Sequence, residues 1–203
     1  MPETTAIVGA DGVARCPWAV TDPLNMEYHD TEWGVPVHGE RALFERICLE
    51  SFQAGLSWLT ILRKRPAFRD AFAGFDIDKV AAFTDDDVQR LLADAAIVRN
   101  RAKIAAAVGN ASAVQRLRDG DGLDAVLWSY RAADPAAPRT AEEVPTRSAA
   151  SEAMAKDLRA RGFRFVGPTS CHALMEATGI IDTHLAGCHR RGVSAGCASS
   201  RRT

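Results

Sequence analysis

The chain has 203 residues, 47% of them apolar and 25% charged, which is enough for one good core or two small lobes. No apolar run approaches the ~18 residues that a membrane span needs, and residues 1–13 lack the basic-then-apolar pattern of a signal peptide. Five Cys without a secretion signal argue against a disulfide framework and for a reducing, cytoplasmic setting, and a net charge of −1 leaves any polyanion contact to local patches.

Helical spacing dominates from residue 40 onward. After a loop holding Gly34, Pro36 and Gly39, the positions Leu43, Phe44, Ile47 and Ser51 mark a helix face. Ser57 to Lys64 reads as a second helix, and Pro66 to Phe72 as a third with Pro in its first turn. Asp78 to Phe83 is a short helical turn, and Asp85 to Ala95 follows a Thr84 cap with an acidic first turn. Arg101 to Leu117 is long and Ala-rich, and Leu123 to Tyr130 is short. Ala132 to Pro145 reads as a loop. Ser148 to Ala160 and Pro168 to Thr178 are helices ended by Gly162 and Gly179. Asp182 or Thr183 caps an expected last helix carrying His184 and Cys188. Phe163 to Val166 is the one short strand candidate. The expectation is an all-α protein: an N-terminal extension over residues 1–14, expected to be flexible, a single domain over 15–190, and a loose basic tail over 191–203.

Two residue pairs carry metal-type chemistry. Cys16 and His29 lie near the start, and His184 and Cys188 near the end. A spacing of four puts the second pair on one face of a helix, and two sulfurs with two imidazoles make a filled tetrahedral zinc set. From spacing alone, His189, Cys197, Cys171 and His172 compete as ligands, and each Cys could equally be a small buried hydrophobe.

Other segments suggest a base-reading pocket. Glu50 falls on the apolar stripe of its own helix, where a carboxylate is either paired, with Arg46 one turn away as the candidate, or functional. Gln53-Ala54-Gly55-Leu56-Ser57-Trp58 offers a flexible turn, an apolar wedge and a flat ring, parts suited to prising bases apart and stacking on one. Trp18, Tyr28 and Trp33 cluster around His29, Asp30 and Glu32, either as core or as an aromatic wall. Arg63-Lys64-Arg65, Arg99-Arg101-Lys103 and Arg159-Arg161-Arg164 form basic clusters that are either helix ends or phosphate contacts. Two helices meet at Asp94-Ala95-Ala96, with cations opening the second, in the manner of a helix-hairpin-helix clamp.

Taken together, Cys16-Pro17-Trp18, Tyr28 through Pro36, Leu43-Phe44-Glu45, Gln53 through Trp58, Arg99-Asn100-Arg101, Arg161 through Gly167 and His184 through Cys188 resemble the DNA-3-methyladenine glycosylase I family of bacterial alkylation-repair enzymes. The resemblance implies a helix-hairpin-helix glycosylase fold and one structural zinc on Cys16, His29, His184 and Cys188. It implies that Glu50 and Tyr28 read an extruded base, with Trp58 stacking on it and Trp18 and Trp33 in support. It also implies that Gly55, Leu56, Arg99, Arg101 and Lys103 touch DNA. The expected partner is alkylated double-stranded DNA, and the expected state a monomer with no membrane association. No Lys is placed as a Schiff-base nucleophile, so no lyase step is expected. Ser51-Phe52 beside Glu50, and Ala96 where a hairpin glycine is usual, depart from the family pattern. Asp119, Asp121 and Asp124 lie downstream of the hairpin in a Gly-rich stretch that reads as a loop. Two other readings stay open: a zinc-stapled module that binds lesions without cutting, and a hydrolase whose metal does the chemistry, though a filled ligand set disfavours the latter.

Overall fold

A computed structural model describes residues 5–131 and 136–195. The described chain is almost wholly helical: α1 (Pro23–Thr31), α2 (Glu40–Gln53), α3 (Trp58–Ala71), α4 (Ile77–Ala81), α5 (Asp85–Ala93), α6 (Arg101–Leu117), α7 (Gly122–Trp128), α8 (Ala149–Ala160) and α9 (Pro168–Ala177). None of these helices is long and apolar enough to cross a membrane.

Helix starts follow local chemistry. Asp22 accepts from the Leu24 amide at 2.9 Å and Pro23 opens α1. Thr84 and Asp87 form a capping box on α5, Ser148 and Ser151 one on α8, and Asn100 caps α6 through the Lys103 amide at 3.1 Å. α9 ends through Gly179 at φ +72, with the Ile180 amide reaching back to the Met175 carbonyl at 2.9 Å.

α2 runs through the centre, packed on α3, α6, α7 and α9. Residues 43–52 are therefore buried apart from Glu45, which is only partly covered. Phe44, Phe52, Phe68, Phe72 and Phe75 fill the space between α2 and α3, with Phe52 and Phe68 at 4.6 Å. Glu50 lies on this central helix, so the fold itself takes the carboxylate out of water.

Four expectations are corrected. α3 runs unbroken through Pro66. The missing hydrogen bond costs about 3 kcal/mol, offset here by burying Ile61, Leu62, Arg65, Phe68 and Ala71. Phe163 to Val166 is not a strand: Phe165 sits at φ +56, which breaks the pleat. No helix carries His184 and Cys188; Asp182 instead accepts from both the backbone and the ring nitrogen of His184 at 3.0 Å, and from the Gly192 amide at 2.6 Å. Such local side-chain bonds compete with helix formation. Finally, residues 7–15 form an antiparallel hairpin, β1 (Ile7–Val8) against β2 (Ala14–Arg15), turning through Gly9 and Gly12. Arg15 pairs with Asp11 inside the hairpin and ties the hairpin to Asp30, at 2.8 Å each. Cys197 lies outside the described residues.

Candidate active site

The aromatic cluster forms a pocket of about 460 Å³ between α1, α2, the start of α3 and α9. Trp18, Tyr28, Trp33 and Trp58 wall it, and Glu50, Glu176, Asn25 and Gln53 supply polar atoms. Trp58 and Tyr28 meet at 5.2 Å, and Trp18 packs edge-on against Trp33 at 5.1 Å. The Tyr28 hydroxyl, the Trp58 indole N–H and the Asn25 carboxamide oxygen are buried and have no hydrogen-bond partner among the described residues. Unpaired buried polar atoms are rare in native proteins, and three around one cavity point to a ligand that completes them. Burial drives the Tyr28 phenol further up from its ordinary pKa, so it stays a neutral donor.

Glu50 is 6% exposed and has no ion pair among the described residues. Its expected partner is engaged elsewhere: Arg46 donates to Glu32 at 2.6 Å and lies 5.6 Å over the Tyr28 ring. Arg65 also holds Glu32, at 2.8 Å, and Glu45, at 2.7 Å. Burial, then the neighbouring Glu176 carboxylate, push Glu50 up to about 8. Glu176, on α9, is pushed by burial to about 7. Sequence reading missed both Glu176 and Asn25. Each looks like an ordinary helix residue, and only the packing of α9 and α1 around the aromatic wall brings them to the pocket.

The Gly55-Leu56 turn joins α2 to α3 at the rim. Gly55 has φ +82, a conformation that favours glycine, and Leu56 is 41% exposed beside it. Arg99 and Arg101 are exposed at the start of α6, as phosphate contacts would be. Lys103 lies differently from the expectation: it is buried and donates to the carbonyls of Phe52 and Ala54 at 2.9 and 2.6 Å, bracing the end of α2. Lys64 likewise donates to the Ala95 and Ala96 carbonyls at 3.2 and 2.9 Å, binding the α5–α6 turn to α3. Asp119, Asp121 and Asp124 do not line the pocket; Asp124 instead meets His38 at 3.0 Å.

Behind Trp18 and Trp33 the two Cys/His pairs converge. Cys16 Sγ, His29 Nε2 and Cys188 Sγ lie within 4.8 Å of one another, with Cys188 Sγ 3.3 Å from His29 Nε2. The His184 ring is 5.2 Å from that of His29, and its Nε2 is buried without a hydrogen-bond partner among the described residues. Each imidazole holds a carboxylate on its other nitrogen, His29 on Asp30 at 2.8 Å and His184 on Asp182 at 3.0 Å. That is the arrangement which orients a histidine toward a metal. A hydrogen bond from Cys16, then one from His29, lower the pKa of the Cys188 thiol. Cys16, His29 and Cys188 are close enough to share one ion, and His184 is the neighbouring imidazole that could complete a tetrahedral set. His189 also approaches His29 and Asp30, but its Nδ1 lies on the Ala14 carbonyl at 2.9 Å. Cys171 is buried in the main core, away from the cluster.

The sequence profile of the methyladenine glycosylase family matches residues 18–191. DNA-3-methyladenine glycosylase 1 of Escherichia coli K12 is 47% identical over 177 residues, covering 86% of this chain and 95% of its own. A crystal structure of 3-methyladenine DNA glycosylase I superposes with a TM-score of 0.84 at 43% identity, covering 87% of this chain and 99% of its own. The Staphylococcus aureus 3-methyladenine DNA glycosylase I, solved to show how it recognises 3-methyladenine, superposes with a TM-score of 0.82 at 36% identity, covering 87% of this chain and 96% of its own. The chain belongs to the methyladenine glycosylase family. Within that family its likeness is to DNA-3-methyladenine glycosylase I.

Proposed function

We propose that this chain releases 3-methyladenine from alkylated double-stranded DNA as a monomeric, monofunctional glycosylase. The observation that carries the reading is the pocket: four aromatic rings, a buried carboxylate at Glu50 without an ion pair, and no Lys or Arg in its lining, all among the described residues. Methylation at N3 makes the base a cation. Ring faces and a carboxylate in low dielectric favour a cation over neutral adenine. Trp58 stacks on the extruded base, while Tyr28 donates to it and Glu50 accepts from its exocyclic amine. Water adds to C1′ of the sugar and gives up a proton to solvent, and the electron pair of the C1′–N bond leaves with the base, which departs neutral. Strong acid catalysis is unnecessary, and Glu50 stabilises the charge developing on the sugar. Without a pocket lysine there is no Schiff base and no strand cleavage.

In this reading Leu56 fills the gap left by the flipped nucleotide. Arg99 and Arg101, at the α5–α6 helix-hairpin-helix, meet phosphates. Cys16, His29, His184 and Cys188 hold one zinc ion as a closed structural set, which leaves no open position for chemistry. The test is to incubate the protein with methylated DNA and chromatograph the free bases. Release of 3-methyladenine from intact strands is expected, whereas binding without release would establish the lesion-binding module instead.

A further inference from the structure

Resting on the base-pocket reading above, the geometry points to Glu176 as a second base-reading carboxylate, one that sets how strongly the pocket prefers a positively charged base over a neutral one. Glu176 lies on α9 and Glu50 on α2, so the two carboxylates come from different elements to line one cavity. Arg46 lies 5.6 Å over the Tyr28 ring but does not line the cavity, and among the described residues no Lys or Arg does. Arg46, the nearest cation to Glu50 in sequence, is held by Glu32. A cationic base entering this pocket therefore meets two carboxylates in a medium too dry to screen them, whereas a neutral purine gains little from the second.

Glu176 is also built into its place. Its Oε1 accepts from the Thr183 hydroxyl at 2.6 Å, which orients the carboxyl and anchors α9 to the segment bearing His184. Behind it opens a second cavity of about 360 Å³, and Glu176 lines both. His172, one turn earlier on α9, lines that rear cavity with its Nε2 3.8 Å from Glu176 Oε1. Burial lowers the pKa of His172, so it stays neutral near pH 7 and does not cancel the carboxylate. The other titratable groups facing the pair are Tyr28, kept neutral by burial, and Arg46, which lowers the pKa of Glu50 only in part. Burial raises both carboxyls toward neutrality, so the empty pocket retains protons that an arriving cation expels.

The test uses the full-length protein with two probes: 3,9-dimethyladeninium, a permanent cation with the shape of the damaged base, and neutral 9-methyladenine. Binding is read from the quenching of pocket tryptophan fluorescence between pH 6 and 9. Wild type should bind the cation more tightly than the neutral probe, and increasingly so as the pair ionises with rising pH. Glu176→Gln keeps an oxygen for Thr183, so folding should hold. It should bind the cation about tenfold more weakly, with a flatter pH dependence and unchanged affinity for 9-methyladenine. Equal loss for both probes, reproduced by Thr183→Val, would show that Glu176 only anchors α9 and would overturn the inference. So would a Glu176→Gln protein that matches wild type for the cation at every pH. If wild type binds neither probe, the base-pocket reading falls along with the inference.

Discussion

At the residue scale, Glu50 shows how position alone changes the chemistry of an ordinary carboxylate. It is buried on a central helix, denied its i−4 arginine, and raised by burial and by Glu176. The folded-state pKa of about 8 lies above the unfolded value near 4.5. The unfolded chain therefore gives up this proton first, and stability present at acid pH is lost as pH rises toward 8. Thermal melts of the free protein should show Tm falling between pH 5 and 8. In Glu50→Gln that fall should shrink, with Tm at pH 8 at or above wild type, while release of 3-methyladenine drops about a hundredfold or more. A Glu50→Gln protein that melts far below wild type at every pH would make the carboxylate structural instead.

At the element scale, the α2–α3 junction forms one edge of the pocket, and Lys103 holds it from behind. The ammonium binds two carbonyls at the end of α2 that would otherwise lack partners. Lys103→Met should cost about 1–3 kcal/mol in urea denaturation, because it strands buried acceptors. The dependence of DNA affinity on salt should stay as in wild type. Arg99→Ala or Arg101→Ala should do the opposite, leaving stability unchanged and reducing the slope of log K against log salt by about one for each phosphate no longer neutralised. Leu56→Ala should slow excision from duplex DNA roughly tenfold or more, with affinity for the free base unchanged, because the exposed wedge acts on the stacked helix.

At the scale of the whole molecule, the two ends of the chain close around one cluster, and that cluster backs onto the pocket. Trp33 lies 4.4 Å from His184 and Trp18 lies 5.3 Å from His29, so the two imidazoles and the pocket wall share a packed layer. The hairpin of residues 7–15 seals the outer side through Arg15 and the Ala14 carbonyl. Cys188→Ser should abolish stoichiometric zinc, as read by metal analysis, and lower stability by ~3 kcal/mol or more. It should also weaken binding of 3-methyladenine through Trp18 and Trp33; full affinity in a zinc-free variant would break that link. Gly34 is a tight point of this layer. With φ +80, an added Cβ would sit 2.6 Å from His184 Cε1, so Gly34→Ala should push the ring aside and reproduce part of the Cys188→Ser defect.

How much of this was legible beforehand follows from the range of each signal. Caps such as Thr84, Ser148 and Asn100 act within three residues, and apolar spacing marks a helix face, so most helices can be read from neighbouring letters. The unusual grouping of Trp18, Tyr28, Trp33, Glu50 and Trp58 was likewise visible as residue types out of place. Sequence alone determined that the chain is helical and aromatic around a misplaced carboxylate. Helical spacing brought His184 and Cys188 to attention for the wrong reason, since Asp182 folds that segment into turns that still bring Cys188 beside His29. Only the tertiary structure decided that Arg46 serves Glu32 rather than Glu50, that Lys103 faces inward, and that Glu176 and Asn25 reach the pocket. Those outcomes depend on which partner lies across the packed interface between helices far apart in the chain, and no local spacing encodes that distance.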